Sequence, residues 1–524
     1  MGDIRNILFI MCDQLRWDYL SCAGHPTLQT PNIDGLAAGG VRFSRAFVQS
    51  PVCGPSRMSA YTGRYMLNHG SSWNSVPLSI GERTLGDYLR PLGMRTALVG
   101  KTHMAADRDG MARLGVDPAS NAGVLAAQCG FEPMERDDGL HPSGFVDPAL
   151  AYNEFLTAKG YDGDNPWHDW ANSAQDPGGE ILSGWYMKNA RLPARVREED
   201  SETPYMIDRA MDFMSAQGAD PWCLHLSFIK PHWPYMAPAP YNDMFGANQI
   251  LPAHRVEAER DDPHPVVAAY MDHTESVNFQ RDEVRDTVIP TYMGLVKQID
   301  DHLGRLFQAM DASGRMDDTL IVFTSDHGDY LGDHWLGEKE LFHEPVVRVP
   351  MIVRDLAAAA DPTRGTVDDC MVELVDLVPT FLDAAGGEVP PHLIDGLSLM
   401  PALRGGPDGV WREAVFSELD YAFRPARQTP GLAPGEARAF MVRTERWKYV
   451  HYEGFRPQLF DLEKDPDEFH DFGEDPAHED VRSGLHARLF TWLAGRKYRT
   501  TMADDDVEKR TASAHKRGII IGEW

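Results

Sequence analysis

The sequence predicts an α/β protein: a large, mostly parallel sheet flanked by helices, followed by a smaller C-terminal α+β domain that contains an antiparallel sheet. Short apolar runs, typical of buried parallel strands, alternate with helical patterns over most of the chain. Beyond about residue 385, glycine and proline become frequent, and the later apolar runs resemble strands of a small sheet. The chain has 524 residues, more than a single ordinary core accommodates.

The elements of the first part alternate in order along the chain. The predicted strands are residues 6–12, 95–99, 222–229 and 319–324. The clearest helical patterns are residues 30–40, 84–92 and 291–313. Because parallel strands are joined by crossover connections that are usually helices, this alternation favours an open, mostly parallel sheet.

The second part follows a linker region rich in glycine and proline, at residues 386–391 and 404–407. We divide the chain into a large α/β domain (1–400), a small domain (401–499) and a C-terminal arm (500–524). In the small domain, strands are predicted at residues 414–419, 439–444 and 447–452. The arm is charged at first and then apolar at Ile519-Ile520-Ile521, so we expect it to contact another subunit of a homo-oligomer.

Composition and charge narrow the function classes. The formal net charge of −29 argues against a general nucleic-acid binder, which needs a basic surface. An anionic substrate is compatible with this net charge, because a few cations around a metal can reverse the sign of the charge within one pocket. The first residues show no signal-peptide pattern, and no apolar run approaches the roughly 20 residues that span a bilayer. We therefore expect a cytoplasmic protein without membrane association.

Polar side chains follow each of the four predicted strands of the large sheet. They are Asp13 and Gln14 after the first strand, Lys101 and His103 after the second, His232 after the third, and Asp326 and His327 after the fourth. In open α/β sheets, ligands bind at the carboxyl ends of the strands. We expect these residues to converge there, although they are distant in sequence.

Asp13, Asp326 and His327 are candidate metal ligands. Each aspartate alone could be a helix N-cap after a strand, which is a common role. Two acids at the ends of two apolar strands, one of them next to a histidine, favour a metal site instead. Imidazole suits Mn, Fe or Zn better than Ca, which prefers oxygen ligands.

Cys53 lies in the segment Pro51-Val52-Cys53-Gly54-Pro55-Ser56-Arg57. A lone cysteine is usually a small buried hydrophobic residue. Pro55 fits the first position of a helix, so Cys53 would sit at the positive end of that helix, with Arg57 one turn further along. Only three residues separate Cys53 from Arg57, and this spacing excludes the loop of cysteine phosphatases.

The segment Cys53-Gly54-Pro55-Ser56-Arg57, followed by Tyr61-Thr62-Gly63-Arg64, resembles the signature of the sulfatase family. Other motifs of the same family recur in order along most of the chain. They are residues 6–18, 30–34, 40–43, 100–103, 231–234, 325–328, and 458–468 in the C-terminal part. The resemblance implies the alkaline-phosphatase-like fold of that superfamily and a hydrolase of small anionic esters.

The resemblance also implies a modified nucleophile. In that family the cysteine that corresponds to Cys53 is oxidised during synthesis to formylglycine, an aldehyde, by formylglycine-generating machinery. The hydrated aldehyde attacks sulfur in line, forms a covalent sulfo-enzyme intermediate, and is helped by one divalent metal ion, Mn²⁺ or Ca²⁺. The implied metal-site residues are Asp13, Gln14, Cys53, Asp326 and His327.

Further roles come from the same resemblance. Lys101 and Lys339 would hold the non-bridging oxygens of the substrate. His232 would protonate the leaving alcohol, and His103 would act on the second hydroxyl of the hydrate to expel the anion. Arg57 would orient the hydrate, and Asn74 would line the substrate pocket.

Each supporting residue also has an interpretation without a function. Lys101 and Lys339 could be solvated surface charges, and His232, which lies between prolines, could pack a loop. Asn74 could cap a turn. Asp329, Asp333 and His334 are expected to organise the loop that follows the fourth strand. Residues 164–178, rich in Trp, Asp and Pro, are candidates for shaping the pocket of the alcohol part.

Two branches of the family are compatible with the sequence. Gln14 and His327 resemble the phosphonate monoester hydrolase and phosphodiesterase branch, whereas Lys101 and His103 match the sulfate-cleaving pattern G-K-x-H. Sulfate and phosphonate monoesters are both tetrahedral monoanions, so charge alone does not separate them. We predict sulfate ester hydrolysis of the arylsulfatase type, with phosphonate monoester and phosphodiester hydrolysis as the alternative and as a promiscuous activity. An inactive binding homologue is disfavoured because nucleophile, metal acids and both histidines are present.

Overall fold

The computed structural model describes residues 4–143, 150–406, 411–511, 513–518 and 520. Its strands in chain order are β1 (Asn6–Asp13), β2 (Val41–Phe47), β3 (Arg95–Gly100), β4 (Glu132–Arg136), β5 (Ser173–Gln175), β6 (Ile181–Ser183), β7 (Trp222–Pro231), β8 (Thr319–Ser325), β9 (Arg348–Arg354), β10 (Thr366–Glu373), β11 (Ala414–Asp420), β12 (Arg438–Thr444), β13 (Trp447–Tyr452) and β14 (Gln458–Asp461). A large sheet of eight strands has the order β10-β2-β9-β8-β1-β7-β3-β4. In it, β9 runs antiparallel to its neighbours β2 and β8, and the other neighbouring pairs are parallel.

The helices pack on both faces of the large sheet and around its carboxyl edge. They are α1 (Pro31–Ala38), α2 (Cys53–Thr62), α3 (Met66–His69), α4 (Leu85–Leu89), α5 (Arg108–Leu114), α6 (Asn121–Ala126), α7 (Ala151–Ala158), α8 (Glu202–Ala216), α9 (Pro265–Met271), α10 (Thr274–Phe279), α11 (Asp282–Ala312), α12 (Glu344–Val347), α13 (Leu377–Ala384), α14 (Met400–Leu403), α15 (Pro425–Gln428), α16 (Glu479–Ala494), α17 (Asp504–Arg510) and α18 (Ser513–Lys516). Among the described residues, no helix combines the length and apolar character needed to cross a bilayer.

The central strand β1 shows why the sheet is buried on both faces. Alternate side chains of a strand point to opposite faces. Ile7, Phe9 and Met11 enter one core with α13 and with β11 and β12 of the C-terminal sheet. Leu8, Ile10 and Cys12 enter a second core with the long helix α11. A strand with two buried faces requires a continuous apolar run, which is the pattern that the sequence shows.

The C-terminal part contains an antiparallel sheet of four strands in the order β11-β12-β13-β14. Helix α16 covers its outer face through Leu485 and Leu489. Its inner face contributes Val415 and Met441 to the core that it shares with the large sheet. The two sheets are therefore joined by a continuous apolar contact.

The predicted fold class is confirmed: a mostly parallel sheet with helices and a smaller antiparallel sheet. The four predicted strands of the large sheet and the three of the C-terminal sheet are present, with bounds that differ by at most two residues. The predicted helix 291–313 was too short, because α11 starts at Asp282 and accommodates Pro290 in its interior. The domain bounds at residues 400 and 499 and the subunit contact of the arm stay predictions. Of the predicted apolar segment of the arm, Ile519 and Ile521 lie outside the described residues, as does Pro407 of the linker.

Candidate active site

The carboxyl ends of β1, β7 and β8 bring the predicted site residues together. In the register of the sheet, Cys12 pairs with Ser325, and Asp13 pairs with Pro231. Asp13 therefore lies between the residue that follows Ser325, which is Asp326, and the residue that follows Pro231, which is His232. The strand register thus brings Asp13, His232 and Asp326 to the same edge of the sheet.

Cys53 is the first residue of α2 and is fully buried. The helix ends at Gly63, whose left-handed backbone (φ 69°) suits glycine. Cys53 Sγ lies 3.1 Å from His327 Nε2 and 3.8 Å from Asp13 Oδ1. The residue at position 53 thus faces the strand ends from the positive end of a helix.

Asp13, Cys53, Asp326 and His327 form a compact buried cluster in which one ligand atom from each residue lies within 4.8 Å of the others. His327 Nδ1 donates to the Gly328 carbonyl oxygen at 2.8 Å. This bond leaves the Nε2 lone pair directed at the cluster, as in histidines that bind metals. Two carboxylates and one such imidazole are compatible with a divalent metal ion.

Arg57 holds the two acids of this cluster in place. Its Nε donates to Asp326 Oδ2 at 2.7 Å, and its NH2 lies 3.5 Å from Asp13 Oδ2. Its NH1 donates to the Lys101 carbonyl oxygen and to Ser227 Oγ at 3.0 and 2.7 Å. The guanidinium is fully buried, so it compensates the negative charge of the cluster where no water reaches it.

Lys101, at the end of β3, is also buried and forms an ion pair with Asp13. Burial alone would raise the pKa of the Asp13 carboxyl. The neighbouring cations, Lys101 first among them, outweigh burial and hold the pKa of Asp13 well below its usual range. Asp13 is therefore ionised, as a metal ligand must be.

Lys339 links the nucleophile to the histidine after β7. Its Nζ lies 3.2 Å from Cys53 Sγ, 3.1 Å from Gln14 Oε1 and 3.1 Å from His232 Nε2. Burial acts to lower the pKa of Lys339, but Coulomb interactions with the groups around it, Cys53 first and then Glu338 and Asp13, raise that pKa above its usual value. The ammonium is thus buried, charged and directed at position 53, which is not the geometry of a surface lysine.

His232 is neutral in this arrangement. Its Nδ1 donates to the Trp233 carbonyl oxygen at 2.5 Å, so Nε2 accepts from Lys339. Burial and the neighbouring Lys339 ammonium hold the pKa of His232 well below its usual value. The proton shared by this pair resides on Lys339 in the absence of substrate.

Gln14 has a left-handed backbone (φ 65°), and its amide group is fully engaged. Its Nε2 donates to Asp329 Oδ2 at 2.5 Å, and its Oε1 accepts from Lys339. Asp329 also accepts from Tyr235 at 3.1 Å. These contacts connect the loop after β8 to the end of β1, in line with the organising role expected for Asp329.

Asn74 and His103 lie at different places around the cluster. Asn74 Oδ1 accepts from the Gly54 amide at 2.8 Å and so caps the first turn of α2 beside the nucleophile. The backbone amide of His103 donates to Asp138 Oδ1 at 3.0 Å. The His103 ring makes no hydrogen bond with any described residue, and its Nδ1 is buried. Its predicted action on position 53 stays a prediction.

Sequence reasoning missed Arg424, which comes from the segment after β11. Lys339 lies between two residues with left-handed backbone, Glu338 (φ 59°) and Glu340 (φ 96°). Arg424 Nε lies 2.7 Å from Glu340 Oε2, and its NH2 pairs with Glu275. Nothing in the sequence around Arg424 marks it, because its partners belong to distant segments of the chain.

Comparisons with known proteins give a consistent result. A family model described as Sulfatase matches residues 5–387. A second model, described as N-sulphoglucosamine sulphohydrolase, C-terminal, matches residues 332–494. The multifunctional alkaline phosphatase superfamily protein PehA of Trinickia caryophylli is 32% identical over 523 residues, covering 95% of this chain and 96% of that protein. An arylsulfatase of Clostridium perfringens is 25% identical over 523 residues, covering 94% and 95%.

Solved structures are similar over nearly the whole chain. The phosphonate monoester hydrolase SpPMH from Silicibacter pomeroyi superposes with a TM-score of 0.82 at 28% identity, covering 94% of this chain and 96% of that one. The phosphonate monoester hydrolase of Agrobacterium radiobacter superposes with a TM-score of 0.81 at 30% identity, covering 94% and 95%.

Proposed function

The chain belongs to the sulfatase family of hydrolases, and from that premise we propose that it hydrolyses sulfate esters through an oxygen nucleophile formed at position 53. The observation that carries this proposal is the convergence of Cys53 with Asp13, Asp326 and His327 in one buried cluster. The buried cations Lys101 and Lys339 flank the same cluster. A nucleophile, a metal-ligand set and fixed positive charge are the parts that hydrolysis of an anionic ester needs.

The nucleophile follows from oxidation of Cys53 to formylglycine during synthesis. The hydrated aldehyde offers two hydroxyl groups, one to attack the sulfur and one to expel the sulfate. The position of Cys53 supports attack by an oxygen at this residue, because the first turn of α2 and Lys339 both favour the negative charge of such an oxygen. A thiol in the same place would have no comparable route to release of the product.

A divalent metal ion, when bound, lowers the pKa of a coordinated hydroxyl and so supplies a nucleophile near neutral pH. Asp13, Asp326 and His327 would hold it, with position 53 as a further contact. Gln14 would act beside this set rather than within it, since its amide is engaged by Lys339 and Asp329. Because an imidazole belongs to the set, we propose Mn²⁺ before Ca²⁺.

The chain's own residues handle charge and protons. Lys101 and Lys339 would bind the non-bridging oxygens and stabilise the charge that develops on them. The Lys339–His232 pair would deliver the proton to the leaving alcohol, because Lys339 holds that proton 3.1 Å from His232 Nε2. Arg57 would fix the acids of the site, and His103 would accept a proton from the second hydroxyl. Asn74 would orient the first turn of α2.

Hydrolysis of phosphonate monoesters is the second candidate function. The structural similarity to two phosphonate monoester hydrolases over nearly the whole chain supports it. Gln14 and His327 support it as well, whereas the G-K-x-H motif of Lys101 and His103 supports sulfate. Because the two substrates have the same charge and shape, we expect both activities, with sulfate preferred. Residence in the cytoplasm and assembly into a homo-oligomer stay predictions.

A rate comparison on paired substrates tests the choice between the two functions. The substrates are an aryl sulfate and an aryl phosphonate with the same leaving phenol, so that its acidity cancels. We expect a higher kcat/KM for the sulfate. A higher kcat/KM for the phosphonate would reverse the assignment and leave the mechanism intact. Activity on neither ester, with position 53 oxidised, would refute the proposed function.

A further inference from the structure

A cavity of about 880 Å³ opens beside the proposed catalytic pair. Its walls come from the segment after β6, the loop after β7, helix α10 and the start of α11. The side chains that form these walls include Trp185, Tyr186, Trp233, Tyr235, Phe279 and Val284. Most of this surface is aromatic or aliphatic, unlike the charged cluster around Cys53.

The cavity adjoins the residues that would protonate the leaving alcohol. Trp233, one of its walls, directly follows His232, and the centres of their rings lie 4.8 Å apart. Glu338, another lining residue, directly precedes Lys339. Residues of the cavity wall therefore neighbour both members of the Lys339–His232 pair along the chain.

Ring packing and hydrogen bonds from neighbouring side chains fix the aromatic wall of the cavity. The Trp185 ring packs edge-on against Trp233, with ring centres 6.1 Å apart, and in a tilted arrangement against Trp167, with ring centres 5.8 Å apart. Trp167 is only 1% exposed, and its Nε1 donates to Glu202 at 2.8 Å. Trp185 Nε1 donates to His168 at 3.2 Å. Trp167 and His168 belong to the segment 164–178 that was predicted to shape this pocket. A wall fixed in this way presents a preformed flat surface to a ligand.

The charged residues at the cavity do not favour an ionic ligand. Glu283 pairs with Arg281 at 3.0 Å, and Glu275 pairs with Arg424. Burial raises the pKa of Glu338 to about 7, so its carboxyl is partly neutral near that pH. Lys188 Nζ lies 5.8 Å from the centre of the Tyr186 ring, and aromatic and aliphatic groups form most of the remaining surface.

We propose that this cavity receives the alcohol part of the ester and selects aromatic alcohols larger than a single ring. The inference rests on the proposed hydrolysis of sulfate esters. A dry apolar cavity of roughly 150 Å³ is enough to bind benzene, so a phenol would fill only part of the present volume. A second flat ring can make offset and edge-on contacts with Trp185 and Trp233, and such contacts stabilise the bound ester. The wall also carries polar residues, among them Lys188, Thr274, Asn278 and Thr287, so its rings favour an aromatic alcohol without excluding a hydroxylated one.

Two sulfates with leaving phenols of similar acidity test this inference: phenyl sulfate and 4-biphenylyl sulfate. In the wild-type enzyme we expect kcat/KM to be about tenfold or more higher for the biphenylyl ester, because its second ring leaves water in the transition state. Trp185→Ala should bring the ratio of the two kcat/KM values close to one. The fold-loss in kcat/KM should be larger for the biphenylyl ester than for phenyl sulfate, because only the former reaches the Trp185 ring with a second ring.

Trp447→Ala, in the C-terminal sheet, is the matched control and should keep the wild-type ratio. Equal losses on both esters in Trp185→Ala, no preference in the wild type, or faster cleavage of a glucose sulfate would each overturn the proposal.

Binding of 4-phenylphenol, followed by tryptophan fluorescence, tests ligand binding in the cavity independently of ester hydrolysis. If neither sulfate is cleaved, the proposed function fails. The cavity is then supported by binding that is lost in Trp185→Ala, and overturned if 4-phenylphenol binds both proteins equally or neither.

Discussion

Lys339 Nζ lies 3.1 Å from His232 Nε2, and the Nδ1 of the same ring donates to the Trp233 carbonyl. These two bonds fix the tautomer of His232 and assign the shared proton to Lys339. A neutral histidine can still act in leaving-group protonation if Lys339 first transfers its proton to Nε2, from which the ring passes that proton to the leaving oxygen and Lys339 is left as the neutral amine. We therefore assign proton transfer to Lys339 and His232 together, rather than to the histidine alone.

Replacing His232 by Ala should slow esters of poor leaving alcohols more than esters of good ones. Only poor leaving groups need a proton as the S–O bond breaks, and loss of one acid–base group costs on the order of 10²–10⁴ in rate. The measurement is kcat/KM across a series of aryl sulfates whose phenols differ in acidity. A variant that slows all members by the same factor would remove His232 from the proton path.

Asp326→Ala should abolish both metal binding and turnover. The substitution removes one carboxylate of the cluster and leaves the buried Arg57 guanidinium without its 2.7 Å partner. Metal content per chain and activity are measured on the same preparation, with Asp383→Ala, a surface acid, as the control. A variant that retains the metal and activity would refute the site.

Restoring metal to the stripped wild-type enzyme tests the preference for Mn²⁺. Because His327 supplies nitrogen, Mn²⁺ should restore activity at least as well as Ca²⁺. The measurement is activity against added metal, with bound metal quantified in parallel. Restoration by Ca²⁺ alone would contradict the ranking of the two metals.

Arg424→Gln should lower kcat by about tenfold to a hundredfold with a smaller change in KM, since slight misplacement of a reacting group costs that much. Arg424 reaches Glu340 and so positions the strained segment that carries Lys339. The dependence of rate on leaving-group acidity should steepen, and Arg424→Lys should rescue part of the loss. Arg438→Gln, which removes an exposed ion pair, is the control. If the dependence of the rate on leaving-group acidity is unchanged in Arg424→Gln, Arg424 has only a structural role.

Glu418→Gln should flatten the pH dependence of stability. Burial raises the pKa of Glu418 to about 8 in the folded chain, against about 4.3 when unfolded. Between these values the folded state binds the extra proton, so its stability falls as the pH rises towards 8, by on the order of 1 kcal/mol per pH unit. Urea unfolding at about pH 5.5 and at about pH 8 measures the difference in the free energy of unfolding. The same fall in the variant would contradict the assignment.

The sequence predicted the part of the fold that burial dictates. Strands β1, β3, β7 and β8 are mainly apolar and buried along almost their whole length, because both faces are covered, so their patterns were clear. Strand β10 lies at the edge of the sheet and carries exposed acids, and β9 contains Pro350, which argues against a strand. Neither was predicted. Pairing of β9 with β2 and β8 depends on contacts between distant segments, which no local pattern encodes.

The candidate site was predictable to a similar degree. Asp13, Asp326 and His327 follow strands, so their convergence could be inferred from the sheet alone. Lys339 came from the family resemblance, and its contacts with Cys53 and His232 needed the structure. The contacts of Arg424 and the aromatic cavity could not be predicted from the sequence, because they depend on how loops from separate segments pack.

Mass analysis of the peptide that contains residue 53 tests the central claim most directly. The protein is produced in cells with and without the formylglycine-generating machinery, and the converted fraction is compared with the specific activity. We predict a peptide that has lost sulfur and gained an aldehyde oxygen, and activity proportional to the converted fraction. Cys53→Ala, a small change at the start of α2, should fold and show no turnover. Full activity in a preparation that contains only the free Cys53 thiol would contradict the account.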